Sequence, residues 1–226
     1  MKASGRRQAE SGFTLVEIAI VLVIIGLLLG GILKGQEMIT QAKIKNIIND
    51  FNGVTAAVNS YQDRYRALPG DDLTAAGRWA SQSAVSGNGD GIIGVGAGSC
   101  TYNNVLAATP VSAQECNVFW WHLRLAGFVP GSVVAGIAAG VQPPNAVNGI
   151  IGVQSGGLGF TSNIVCSSNL PDKIAIAVDT QMDDGTPGAG EIRAGLQAAP
   201  TPAVPASGAA TYVETGQNQY LLCKNL

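Results

Sequence analysis

Between Phe13 and Leu33 the chain runs 21 residues with a single ionisable side chain, Glu17. An α-helix rises 1.5 Å per residue and crosses a ~30 Å hydrocarbon layer in about 20 residues, so this segment has the length and composition of one membrane span. A polar leader of 12 residues precedes it, carrying Lys2, Arg6 and Arg7. By the positive-inside tendency those cations hold the N-terminus in the cytoplasm, and everything after the span is expected on the other side. A secretory signal peptide also starts basic and turns apolar, but its apolar part is about 7–15 residues long and ends at a small-residue cleavage site. Here the apolar part is longer, Gln8 to Ser11 interrupt the approach, and no A-x-A site follows Leu33.

Where leader meets span the chain reads Gly12-Phe13-Thr14-Leu15-Val16-Glu17. With this junction, Gly5 to Leu33 resemble the precursors of the type IV pilin and type II secretion pseudopilin superfamily, in which a short basic leader ends in glycine and an apolar helix follows. The resemblance implies that a prepilin peptidase cuts between Gly12 and Phe13 and methylates the new amine, which places Glu17 fifth in the mature chain. It implies an α+β, type IV pilin-like fold: a long N-terminal helix, membrane-spanning in its first half, packed on an antiparallel β-sheet head with long loops. The corresponding division is a removed leader (1–12), a transmembrane and assembly helix (13–33), an amphipathic continuation (34–68) and a periplasmic or extracellular head (69–226). Softer likenesses to larger pilin-like proteins recur at Tyr65 to Asp71, Gly87 to Gly91, Trp120 to Gly127 and Asp183 to Gly185.

What the family would do follows from the same resemblance. The chain would be a filament subunit, held single-pass in inner-membrane lipid and then polymerised by a pilus or secretion assembly platform into a homo-oligomeric cell-surface filament. A type II secretion pseudopilin or a minor pilin is the alternative within the family. A membrane-anchored periplasmic binding protein that never polymerises is the alternative outside it.

Glu17 also has a physical reading of its own. A carboxylate at the centre of a membrane helix costs about 2.5–3.5 kcal/mol on insertion scales, less near an interface, so it calls for a partner or for neutralisation. The Phe13 amine lies four residues away, about one helical turn, and can pair within the helix. The amine of a neighbouring copy can pair equally well, and this is the option the resemblance implies. A third reading leaves Glu17 favoured only by the dipole of the helix N-terminus. Further along, Gly26 and Gly30 form a G-x-x-x-G pair, followed by Gly31 and Gly35. Small residues let helices approach closely in lipid, and glycine weakens a helix by ~1 kcal/mol relative to alanine, so a softened stretch is expected over residues 26–35.

Beyond the span, Ile44, Ile47, Ile48, Phe51, Val54, Val58, Tyr61, Tyr65 and Leu68 keep a three- and four-residue spacing that predicts one amphipathic continuation, ended by Pro69-Gly70. The helix then runs to about Tyr65, roughly 80 Å in all. From Asp71 the composition shifts to Gly, Ala, Asn, Ser and Pro with short apolar runs. Short helices are expected over Asp72 to Ser81 and Ala113 to Ala126, the second opened by Ser112-x-x-Glu115 as a capping box. Strands are expected over Gly149 to Val153, Gly159 to Cys166, Lys173 to Asp179 and Tyr220 to Cys223, and an irregular loop over Ala198 to Ala210.

The formal charge is −2, with 12% charged residues, and no strongly basic face arises from scattered Lys43, Lys45, Arg64, Arg66 and Arg78; a nucleic-acid partner is not expected. One histidine, His122, stands among Phe119, Trp120, Trp121 and Leu123, where it reads as a packing residue. No G-x-S-x-G, Walker A or H-E-x-x-H motif is present, and an enzyme is not expected. Gly89 to Gly94 satisfy G-x-G-x-x-G but lack a βαβ setting. Ser86, Asn88, Asp90 and Gly91 instead occupy positions 1, 3, 5 and 6 of a calcium loop whose twelfth residue, Ala97, supplies no carboxylate, although Asp71 or Asp72 could substitute. Asp183 and Asp184 form a second candidate calcium group; a turn without metal is the commoner meaning of both patterns, and no other cofactor is expected. The four cysteines predict two disulfides in an oxidising compartment, with three pairings open. Cys100–Cys116 closes a local loop, and Cys166–Cys223 would staple the C-terminal strand as pilin-like proteins commonly do.

Overall fold

A computed structural model describes residues 14–94, 100–104, 114–200 and 202–226. In chain order these form α1 (Leu15–Tyr65), α2 (Ala75–Arg78), a 3-10 turn (Ala80–Gln82), α3 (Glu115–Leu125), α4 (Ile137–Gly140), β1 (Ile151–Gly157), β2 (Phe160–Pro171), α5 (Asp172–Met182), β3 (Ile192–Leu196) and β4 (Gln219–Asn225). The chain divides into two compact units, Met1–Ala42 and Lys43–Leu226.

In the second unit the strands make one sheet in the order β1-β2-β4-β3, antiparallel throughout. Together with the long apolar helix, this is the α+β layout of a type IV pilin-like fold. β2 and β4 are the central strands, with Cys166 directly opposite Cys223. These two cysteines are bridged, as are Cys100 and Cys116. The ladder between β2 and β4 shifts between Ser167 and Leu170; there Asn169 takes φ 61°, a left-handed conformation that asparagine tolerates better than most residues. On β1, Gly152 brings backbone against backbone: a Cβ there would stand 1.9 Å from the Tyr102 carbonyl oxygen.

The main core collects Ile44, Ile47, Phe51, Val54, Ala57, Val58 and Tyr61 of α1 with Phe119, Trp120 and Leu123 of α3 and the inner residues Val153, Val165, Ala194 and Leu222 of the sheet. The three- and four-residue spacing of the α1 residues is the one read from the sequence, because only one stripe of a helix can meet a core. Trp121 faces the other way, joining Val118, Ala84 and Ala139, while its indole donates to the Val133 carbonyl at 3.2 Å.

Several local expectations change. Lys173 to Asp179, expected as a strand, lies in helix α5. Its Ile-Ala-Ile-Ala-Val run looks alternating, but the buried residues Ile174, Ala175, Val178 and Asp179 follow the helical period. β3 was not anticipated, because Ile192 to Leu196 is only five residues long and contains Gly195. β2 runs on from Cys166 to Pro171. The expected helix at Asp72 to Ser81 is two short turns, and the second starts at Glu115 rather than Ala113. Ser112 and Ala113 lie outside the described residues, and the Glu115 side chain reaches the Asn88 and Gly94 amides rather than serving a capping box. α1 is unbroken through Gly26, Gly30, Gly31 and Gly35, so the isolated chain shows no softened stretch there. Leu27, Leu28, Leu29, Leu33, Lys34 and Gln36 around these glycines are good helix formers, and no proline interrupts the helix.

Candidate assembly helix and the polar centres of the head

The first unit is an apolar helix surface. Leu15, Leu22, Ile24, Leu27, Leu29 and Leu33 are all exposed, and an 18-residue window of α1 reaches a mean hydropathy of 2.8 with none of it buried. Such a helix is long and apolar enough to cross a membrane. Its polar exception sits at the start. The Glu17 carboxylate accepts from the Thr14 amide at 2.8 Å and from the Thr14 hydroxyl at 2.7 Å, while the Glu17 amide donates back to Thr14 Oγ1 at 3.3 Å. Thr14 and Glu17 therefore form a reciprocal capping box, which the T-x-x-E spacing could have revealed. Among the described residues no cation pairs with Glu17. Gly12 and Phe13 lie outside the described residues. At Gly26 and Gly30 a Cβ would meet nothing within 4 Å, so among the described residues no neighbour requires either glycine.

The second unit holds its polar groups inside. His122 Nδ1 accepts from the Gly70 amide at 3.0 Å, which makes Nε2 the donor to the Val85 carbonyl at 2.8 Å. Its ring stacks on Tyr61 with centroids 6.1 Å apart. Burial lowers its pKa to about 4, against the opposing pull of the Val85 bond. With both nitrogens committed to the backbone and the proton held off, His122 ties loops to α3 rather than acting as a base. Nearby, Asp72 accepts from the Tyr61 hydroxyl, from Thr74 and from Arg78. Burial works against its charge, but the bonds from Arg78, Tyr61 and Thr74 prevail and hold it at about 2.

The glycine-rich loop is organised around two buried carboxylates. Asp71 accepts from the amides of Gly89, Asp90 and Gly91, and Glu115 from those of Asn88 and Gly94. Asp90 lies close enough to Asp71 and Glu115 for one oxygen from each to share an ion; Asn88 Nδ2 donates to Asp90 Oδ2 at 2.9 Å. Five backbone N–H groups already face the two buried acids, so the loop is held by its own amides. Burial, with Asp71 and Asp90 adding to it, still raises the Glu115 pKa against the Gly94 and Asn88 bonds. The other acidic group, Asp179 with Asp183 and Asp184, closes the end of α5. Asp71 is one of the two acids the sequence offers to the loop, whereas Asp179 and Glu115 carry no sequence signal as site residues, since single acids in a Gly- and Ala-rich chain give no periodic pattern.

Comparison with known families bears on the exposed helix. The prokaryotic N-terminal methylation motif matches residues 7–33. The chain carries a prepilin-type processing motif. It spans the basic end of the leader, the Gly12–Phe13 junction, Glu17 and the apolar segment through Gly26 and Gly30. This motif marks type IV pilins and pseudopilins, and supports a pilin-like or pseudopilin subunit. It implies processing by a prepilin peptidase and assembly into a pilus or secretion filament. With the apolar helix it fits a membrane-anchored precursor that becomes part of a surface filament. No curated protein and no solved structure matches the chain.

Proposed function

We propose that this chain is the structural subunit of a type IV pilus-like filament, cut after Gly12 and polymerised through its N-terminal helix. The observation that carries the reading is an exposed apolar helix whose first turn holds one carboxylate without a cation partner among the described residues, inside a prepilin-type motif. Before assembly the helix is covered by inner-membrane lipid, with the leader cytoplasmic and the head periplasmic. In the filament, neighbouring copies replace the lipid. Cleavage frees the Phe13 amine, and the amine of one copy meets Glu17 of the next, which sets the register between subunits. An ion pair in hydrocarbon surroundings is strongly favoured over two separate charges, so mis-registered copies are rejected. Gly26 and Gly30, where a Cβ would meet nothing within 4 Å among the described residues, then offer a close-approach face to an adjacent helix. A pseudopilin shares all of this and differs in the machine it serves.

The test is Glu17→Ala in cells that make the filament. Loss of filaments with normal membrane insertion is expected; filaments at wild-type yield would reject the pairing. Mass spectrometry of the assembled subunit should find a chain starting at a methylated Phe13, and one that retains Met1 would reject the processing. Appendages outside the cell identify a pilus, whereas loss of protein secretion without appendages identifies a pseudopilus.

A further inference from the structure

Helix α5 ends in a way that isolated protein chemistry disfavours. Its last turn contains Asp179 and no basic residue, and its C-cap is Asp183, followed by Asp184. The C-terminal end of a helix carries partial negative charge and favours cations, so three carboxylates there oppose both the dipole and one another. One oxygen from each lies within 4.8 Å of the others. No ion pair among the described residues involves any of the three.

The internal hydrogen bonds satisfy only part of this group. Tyr212 donates to Asp179 Oδ2 at 2.6 Å, the Ile192 amide to Asp183 Oδ2 at 2.8 Å, and the Thr186 amide to Asp184 Oδ1 at 2.7 Å. Asp179 is fully buried, at 0% exposure, yet its Oδ1 finds no hydrogen-bond partner among the described residues. Burial, with Asp183 and Asp184 adding to it, raises the Asp179 pKa against the Tyr212 hydroxyl and the Gly185 amide. A buried carboxylate oxygen left without a donor is costly and calls for a ligand. The backbone also keeps the acids together. Gly190 has φ 77°, and a Cβ there would fall 2.0 Å from Asp183 Oδ2.

We infer that Asp179, Asp183 and Asp184 bind a divalent cation of the calcium type at the end of α5. All three offer hard carboxylate oxygens, which suit calcium or magnesium and not a thiophilic metal. Calcium bonds oxygen at about 2.3–2.6 Å and accepts irregular geometry, so oxygens on opposite sides of one ion stand about 5 Å apart, and the observed spacing lies within that span. Water completes the shell on the side of Asp184, which is exposed. The ion would fasten the end of α5 to the turn leading into β3 and, through Tyr212, to the long loop before β4.

The experiment is isothermal titration calorimetry of the detergent-solubilised full chain with calcium chloride alone, paired with thermal melting in calcium and in chelator. Expected is one site with a Kd of about 0.1–1 mM, the range of extracellular calcium modules, and a midpoint raised by roughly 5–10 °C at a hundredfold excess over Kd. Asp183→Asn and Asp184→Asn should each weaken binding about tenfold or more, and Asp90→Asn should leave it unchanged. Asp184 makes only a local turn bond, so its variant tests the site even where Asp183→Asn disturbs folding. No binding heat and no shift in the wild-type chain would overturn the inference. Binding that survives Asp184→Asn and is lost in Asp90→Asn would overturn it too, by moving the ion to the loop around Asp71.

Discussion

From Leu15 to Leu33 α1 is apolar all round and open, with Ile24 51% exposed; from Ile44 to Tyr61 the same helix buries one stripe, with Ile47 and Tyr61 at 0%. The two stretches share one continuous helix but not one composition: the first carries Glu17 as its single charged residue, whereas the second sets Lys45, Asn46, Asn49, Asn52 and Asn59 in solvent on the faces away from the core. A single apolar stripe is satisfied by a core from its own chain, whereas a helix apolar on every side must be surrounded by lipid or by other copies. One half of α1 thus belongs to the folded head, and the other is left for lipid or, on the function proposed above, for neighbouring copies.

The contrast can be broken most sharply at the disulfide of the folding half. Replacing Cys166 and Cys223 together by Ser opens a bridge of sequence separation 57, which loop-closure entropy values at about 4 kcal/mol. Denaturant unfolding of the head should show that loss while membrane insertion of α1 stays normal; a parallel loss of insertion would mean that the two halves are not independent. Next is a matched pair. Ile47→Ala should cost the head about 2–5 kcal/mol by leaving a cavity, and Ile24→Ala should change head stability by less than about 0.5 kcal/mol. Equal effects in denaturant titrations would erase the distinction drawn here.

A third expected effect comes from pH. The His122 pKa is about 4 in the folded head, against 6.5 for an unperturbed ring. Unfolding therefore takes up a proton as pH falls below about 6.5, so the stabilisation is complete above that value and is lost progressively toward pH 4, about 3 kcal/mol in all. Unfolding measured at steps from pH 7 to pH 4 should show this decline, and His122→Gln should flatten it. The smallest effect belongs to the assembly half: Gly30→Ala meets no neighbour in the single chain and should strengthen the helix locally by up to ~1 kcal/mol. Helical content by circular dichroism in micelles would show the gain. If filament yield also rises, Gly30 is not a close-approach position.

The sequence made the helical half legible because both of its signals are long. Twenty-one residues with one acid, and nine apolar residues at helical spacing, leave few alternatives. Glu17 was conspicuous as the lone charge, although its bond to Thr14 was overlooked beside the question of its distant partner. The sheet was harder to read. Lys173 to Asp179 is short and β-branched enough to pass for a strand, and what settles it as helix is burial of Ile174, Ala175 and Val178 on one face, a tertiary fact. The polar centres were least legible. His122 takes its two partners from Gly70 and Val85, 52 and 37 residues away, and no local pattern announces such bonds.

The strand order carries one more consequence. β4 comes last in the chain among the four strands, yet it lies between β2 and β3. A ribosome or a translocation channel delivers β1, β2 and β3 first, and β3 has no strand to pair with until β4 arrives. The head therefore waits, half made, for its final segment, which closes the gap and only then brings Cys223 opposite Cys166. Quality control that senses unpaired thiols or an open sheet would hold back every subunit whose delivery stopped short.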